Sequence, residues 1–303
     1  MQTANAYQAR FAQLRARYER DHDGWDWSDF IDWLIARRAT LRPASFRQYR
    51  AAVVWVLQQQ GGPQASGFCE RLLGEGQAPR SHDLPPRTSA GKAKSIPLHD
   101  LHRLVVKLQT RGGKWDDLTA RWLFWSIQTG LRPVEWREAS LRVHTSGVAL
   151  NVRNAKHSHG RAHGEHRTVH LQISAEAAQV LQGFLDQIQS DFDAAYQGCR
   201  LGLHRATREL WPRRRRHPTL YTGRHQFAAD AKASGLAPDA IAALMGHAVM
   251  STHQSHYGKR RCGHSGLLAV ADPSDVRRVQ ERLQAKLQAV PPHVVSPSPG
   301  SGG

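Results

Sequence analysis

Five polar segments of this chain hold residue types suited to displacement at a phosphodiester. The first is Thr129-Gly130-Leu131-Arg132-Pro133-Val134-Glu135, and the second is marked by Lys156. The third is Tyr221-Thr222-Gly223-Arg224-His225-Gln226-Phe227, the fourth Leu244-Met245-Gly246-His247. Tyr257 follows in His256-Tyr257-Gly258-Lys259-Arg260. Such a displacement develops charge on two non-bridging oxygens, and arginine offers fork-shaped donors that are always charged. Arg132 and Arg224 are therefore the candidate clamps, stabilising the transition state electrostatically. A phenol with a pKa of about 10 is a weak nucleophile at neutral pH, and nearby cations favour the phenolate. Tyr257 is followed by Lys259, Arg260 and Arg261. Lys156 is the candidate general acid for a departing oxygen, and His247 a candidate hydrogen-bond partner of the phosphate. Each residue also has an ordinary reading. Arg132 could cap a helix, Arg224 could pair with a buried carboxylate, and His247 could be a helix-end imidazole. Lys156 could be a solvated strand-edge residue, and Tyr257 a packed ring.

The composition agrees with a polyanionic partner. The 303 residues include 42 Lys and Arg against 25 Asp and Glu, a formal charge of +17, with 18 His besides. The sequence pI is near 10.7. Such an excess points to nucleic acid as the partner. The apolar run 51–57 is far short of the roughly 20 residues that cross a bilayer, so no membrane role is expected. The first twenty residues carry no apolar core of a secretory leader, and the three cysteines are odd in number and far apart. A cytoplasmic, bacterial nucleoid-associated protein is the expectation. Four histidines, His157, His159, His163 and His166, stand close together beside Arg161 and Arg167. With no cysteine among them and no cluster of acids, they suggest a loop touching phosphates rather than a metal site.

These residues need elements to hold them. Phe46, Tyr49, Val53 and Leu57 share one helical face, with Pro43 and Ser45 at its start. Phe30, Trp33 and Leu34 make an earlier apolar face, with Ser28 as a candidate N-cap. Residues 1–73 therefore read as a bundle of about four helices, and Arg47 and Arg50 are its candidate DNA contacts. Residues 74–95, rich in Gly, Pro, Ser and charge, read as a linker. Its basic end, Lys92 and Lys94, could follow a phosphate backbone. A second domain is expected over 96–289. It opens with helices around Leu101 to Leu108 and Leu118 to Trp125, then a stop at Gly130 and a restart at Pro133. Next, Val148, Leu150 and Val152, and later Val169, Leu171 and Ile173, alternate with period two. They predict two strands around a polar hairpin tip at 154–166. Helical patterns then run to a last stripe of Val276, Val279, Leu283 and Leu287. Residues 290–303 read as a disordered tail.

In this order, the segments resemble the tyrosine recombinases, the phage-integrase family. The first is similar to that family's Thr-Gly-Leu-Arg box, the third to its second arginine box, and the fourth to the Leu-Gly-His box before the nucleophilic tyrosine. Lys156 matches the lysine of the intervening hairpin. The resemblance covers nearly all of the second domain and, more loosely, the N-terminal helices. It implies a mainly α fold with a small β-sheet, an N-terminal core-binding domain and a mixed α/β catalytic domain. It also implies cutting and rejoining of double-stranded DNA through a 3′-phosphotyrosyl link at Tyr257, with no cofactor. Strand exchange would need a homotetramer on two DNA sites, in the integration or recombination of a mobile element. Tyr221 departs from the pattern, since the family usually carries His or Lys three residues before the second arginine. The spacing from His247 to Tyr257 is also one residue longer than the commonest form. A catalytically silent DNA-binding regulator on the same fold and a type IB topoisomerase are the alternative functions.

Overall fold

The computed structural model describes residues 2–76, 91–144, 147–157, 162–248, 259–264 and 266–288. The readings of Arg161, of Tyr257, of residues 77–90 and of the tail after 288 lie outside these residues. The chain divides into two compact units, residues 1–87 and 88–303.

Four helices build the first unit: α1 (Gln2–Asp21), α2 (Trp27–Ala36), α3 (Pro43–Gln60) and α4 (Gly62–Gly74). Proline stands in the first turn of α3, where its missing N–H costs nothing. The cap of α2 is Asp26 and not Ser28. Asp26 has extended backbone angles, and its carboxylate accepts from the Asp29 N–H at 3.1 Å. Phe30, Ile31, Leu34, Phe46, Val53 and Leu57 are fully buried between the helices. Phe11, Tyr18, Trp25 and Trp27 close the core around Phe30 through edge and tilted ring contacts.

The second unit is mainly helical around one small sheet. Helices α5 (Leu98–Arg111) and α6 (Asp116–Thr129) come first, and a 3-10 turn (Pro133–Glu138) follows. Strands β1 (Ser140–His144), β2 (Gly147–Arg153) and β3 (His166–Leu171) then form an antiparallel meander. Four helices follow: α7 (Ala175–Ser190), α8 (Phe192–Leu210), α9 (Leu220–Ala233) and α10 (Pro238–Leu244). Strand β4 (Ala269–Ala271) and helix α11 (Pro273–Gln288) complete it. The sheet has the order β1-β2-β3-β4, all antiparallel. Two strands were expected at its centre and are found there, with Leu150 opposite Val169. The edge strands β1 and β4 were not anticipated. β1 offers only Leu141 and Val143 in alternation and is mostly exposed, and β4 is three residues long with no alternation, so both patterns are too short to mark a strand.

Helices α6 and α9 pack closely because of Gly223. A Cβ at that position would sit 2.6 Å from the Ser126 Cβ. Gly130 ends α6 with a φ of +70° and lies against the Phe227 ring, where a side chain would collide. Of the last apolar stripe, Val279 is buried against Ala242 and Ala243 and Val276 packs beside it, while Leu287 is 66% exposed. Asp275 fastens α11 to its own unit. Its carboxylate accepts from the Thr168 N–H at 2.8 Å and meets His163 Nε2 at 3.1 Å.

Candidate functional site

Three sequence-distant segments meet at one buried carboxylate. Glu135 sits in the 3-10 turn just after Arg132, and that tight turn folds its side chain back on the turn's own start. One oxygen accepts from the Arg132 backbone N–H at 2.8 Å and from Arg167 Nη2 at 2.8 Å. The other accepts from Arg132 Nη1 at 2.5 Å and from the Ala155 N–H at 3.2 Å. Arg224 Nη1 stands 3.8 Å away. Burial pushes the Glu135 carboxyl up, but the Arg167, Arg132 and Arg224 guanidiniums outweigh it and hold it well below the usual carboxylate range. Burial likewise draws Arg167 below the ordinary guanidinium value, against the pull of Glu135 and with the push of Arg224 and Arg132. Three guanidiniums around one carboxylate leave this centre with two excess positive charges.

Helix α9 delivers Arg224 from its second turn. Its Nη1 donates to the Gly130 carbonyl at 2.6 Å, and its Nη2 donates to the Met245 carbonyl at 2.5 Å. The same Nη2 lies 3.0 Å from His247 Nε2. A guanidinium has only donors, so His247 Nε2 accepts, and the ring proton of the neutral imidazole resides on Nδ1. Gly246 makes the turn into His247 with a φ of +61°. A Cβ there would meet Asn154 Oδ1 at 2.2 Å and Arg167 Nη1 at 2.8 Å. The Leu-Met-Gly-His segment therefore closes on the cluster only because position 246 is glycine.

The structure brings Arg132, Arg224 and His247 together, all buried. Lys156 lies exposed in the turn after β2. Ala155, its neighbour, is bonded to Glu135, which ties this turn to the cluster. Tyr221 is half-buried on the first turn of α9, its ring edge-on to that of His225 with centroids 5.2 Å apart. Burial, with Lys94 and Arg224 nearby, pushes the His225 imidazole down to about 4. It is therefore neutral near pH 7.

Arg167 corrects the reading of a loop arginine on DNA phosphates. It lies on β3 in phase with Val169 and Leu171, so the strand turns it inward. Its Nε donates to the Leu244 carbonyl at 2.9 Å, its Nη1 to Asn154 Oδ1, and its Nη2 to Glu135. Every guanidinium nitrogen is engaged, and Arg167 acts as a buried brace. That period-two phase was visible in the sequence; Glu135 had the quieter signal of an acid three residues after Arg132. Asn154, which joins Arg167 to the Gly164 carbonyl, carried no sequence signal.

Among the other expected DNA contacts, Lys92, Lys94 and Arg47 are exposed. Arg50 is half-buried, and its Nη1 donates to the Glu75 carbonyl at 2.6 Å just past the end of α4. Residues 91–95 of the expected linker belong to the second unit. Ala93 donates its N–H to the His217 carbonyl at 3.0 Å, and the Ile96 N–H meets Gln226 Oε1 at 2.9 Å. Among the described residues, no group of three or more His, Cys, Asp or Glu is placed to hold a metal ion. No described helix is long and apolar enough to cross a membrane.

No family model and no curated protein matches this sequence. Several solved structures resemble it at low identity. One is the XerH site-specific recombinase bound to a palindromic difH substrate in a post-cleavage complex. It is 13% identical with a TM-score of 0.45, over 77% of this chain and 67% of that one. A second is the protelomerase TelA covalently complexed with substrate DNA, at 17% and 0.45, over 92% and 91%. A third is the Tn1549 transposon integrase in complex with circular intermediate DNA, at 16% and 0.42, over 90% and 92%.

Proposed function

We propose that this chain is a site-specific DNA recombinase or integrase of the tyrosine type, cutting and rejoining duplex DNA through a phosphotyrosyl intermediate. The observation that carries this reading is the convergence of Arg132, Arg224 and His247 on one centre with excess positive charge. A buried surplus of charge calls for an anion, and a phosphodiester undergoing displacement supplies one. In this scheme the Tyr257 phenolate, its proton released to solvent, attacks the phosphorus and takes the 3′ phosphate, while the bond to the 5′ oxygen breaks and that oxygen leaves with a proton from Lys156. The phosphotyrosyl bond preserves the phosphodiester's energy, so the reverse attack reseals the strand without ATP. Arg132, Arg224 and His247 hold the non-bridging oxygens. Strand exchange would take place in a homotetramer on two sites, and the family's roles imply action on a mobile element.

The test starts with fragments of genomic DNA captured by a Tyr257→Phe protein, which yield the recognised site. A nicked duplex bearing that site should then give wild-type protein joined to a 3′ phosphate under denaturing conditions. Specific binding without any adduct would favour a silent regulator on this fold. Relaxation of any supercoiled plasmid, regardless of sequence, would favour a type IB topoisomerase.

Two further outcomes are expected in that assay. Adduct formation should survive excess EDTA, because the proposed charge stabilisation comes from Arg132, Arg224 and Lys156. Its abolition by EDTA and recovery with Mg²⁺ or Zn²⁺ would overturn the scheme. Tyr221→Phe should slow adduct formation roughly tenfold to a hundredfold, the effect of one hydrogen bond to a charged phosphate. A loss as complete as that of Tyr257→Phe would give Tyr221 a larger role.

A further inference from the structure

The backbone of His247 is held by polar contacts that lie outside the proposed chemistry. Its N–H donates to the Ala242 carbonyl at 2.9 Å, and its carbonyl stands 3.3 Å from His163 Nδ1. The other nitrogen of that ring, Nε2, lies 3.1 Å from Asp275 Oδ1 on α11. Asp275 accepts in turn from the Thr168 N–H at 2.8 Å and from Arg278 Nη2. His163 is 2% exposed and Asp275 1%. We propose that His163 and Asp275 are positioning residues for His247, joining helix α11 to the turn that sets its imidazole against Arg224. The catalytic consequence rests on the recombinase reading, whereas the placement of His247 can be tested without it.

His163, whose neighbours suggested a loop touching phosphates, is turned inward instead. Buried polar groups persist where each finds a partner, and this chain of contacts gives every member one. A carbonyl and a carboxylate only accept, so the His163 ring serves both at once when each nitrogen carries a proton. Burial pushes the Asp275 carboxyl up, but the bonds from His163 and the Thr168 N–H, with the charges of His163 and Arg278, outweigh it and hold it below its ordinary value. Two more contacts make α11 the support of α10, the helix that leads into Gly246 and His247. Val279 is buried against Ala242 and Ala243, and Gln280 Nε2 donates to Asp239 Oδ2 at 2.5 Å. His163 itself stands in the connection from β2 to β3, where the Asn154 amide donates to the Gly164 carbonyl at 2.9 Å. The Lys156 turn belongs to the same connection, so one helix steadies both the hairpin and the His247 turn. Such support matters because a displacement of about 1 Å at a reacting centre costs roughly a hundredfold in rate.

The experiment uses the full chain, isotope-labelled in its histidine ring nitrogens and followed by NMR. The His247 signal is identified by its absence in His247→Gln. His163→Phe keeps an aromatic ring and removes both bonds; Asp275→Asn removes the charge alone and serves if the first variant does not fold. The control is His170→Gln, which removes another His–Asp contact of β3, from His170 Nε2 to Asp272 Oδ2 at 3.0 Å just before α11. The His163 and Asp275 variants should move the His247 ring signal, and the control should leave it in place. An unmoved signal in the folded variants, or an equal shift in the control, would overturn the inference. Single-turnover adduct formation on the captured site gives the kinetic readout. His163→Phe should slow it roughly tenfold to a hundredfold at saturating DNA, with little change in the dissociation constant. In a His247→Gln background the same substitution should have no further effect, because positioning acts only through that imidazole. Full slowing in that background would give His163 a merely structural role and sink the proposal. If the wild-type protein forms no adduct at the captured site, the recombinase reading fails, while the ring signals still decide whether His163 and Asp275 place His247.

Discussion

Tyr257→Phe should bind duplex DNA with roughly wild-type affinity and form no covalent adduct at all. Affinity rests on many phosphate contacts, so the loss of one hydroxyl changes it little. Removing only the oxygen keeps the aromatic ring. The reaction, in contrast, depends wholly on that oxygen, because the covalent intermediate is built on it. Tyr257 is preferred over Tyr221 on two grounds. It follows the His247 segment in the chain, with Lys259, Arg260 and Arg261 beyond it. Tyr221 lies one turn before Arg224 on α9 and stacks edge-on with His225, a place suited to positioning. The check is a nicked duplex carrying the captured site, followed by peptide mapping of the trapped species. The DNA should map to the fragment that holds Tyr257. An adduct that persists in Tyr257→Phe, or that maps to Tyr221, would reverse the assignment.

Glu135→Gln should destabilise the second unit severely, by about 3–5 kcal/mol, the usual result of removing one partner of a buried ion pair. Against a typical stability of about 5–15 kcal/mol, that is a large share. The amide keeps the shape and some hydrogen bonds, but it leaves Arg132, Arg167 and Arg224 together without their shared counter-charge. The pH dependence follows from the depressed carboxyl. The folded value lies below the unfolded one, so the contribution is fully present above the ordinary glutamate range, near 4.3. It is lost only as the pH falls through the depressed folded value. The wild-type protein should therefore keep this contribution at pH 5, and the variant should lack it at every pH. Urea unfolding at pH 5 and pH 7 measures both. If the variant does not fold, Arg167→Met/Glu135→Met removes one charge of each sign and should recover part of the loss. Stability of Glu135→Gln within about 0.5 kcal/mol of wild type, the range of an ordinary surface change, would show that the carboxylate is not the hub.

Much of this molecule was legible as local pattern. The 3.6-residue period marked α3, α5 and α6, and the period-two run marked β2 and β3, because burying one face imposes that spacing on any chain. Gly130 and Pro133 bounded their elements through backbone torsions that need no tertiary partner. Arg132, Arg224 and His247 were singled out by residue type and order, and the fold gathers them. What tertiary structure decided were the contacts between segments far apart in sequence. The carboxylate at 135 became the hub because the 3-10 turn, the end of β2, β3 and α9 meet there. Arg167 was read by its basic neighbours as a surface contact, yet the strand's phase placed it inside, where a guanidinium persists only beside a carboxylate. His163 met Asp275 and the His247 carbonyl only when α11 was laid beside the hairpin. Local sequence encodes torsion and burial period, whereas which charges face each other depends on how the elements pack, and that pairing sets their electrostatics.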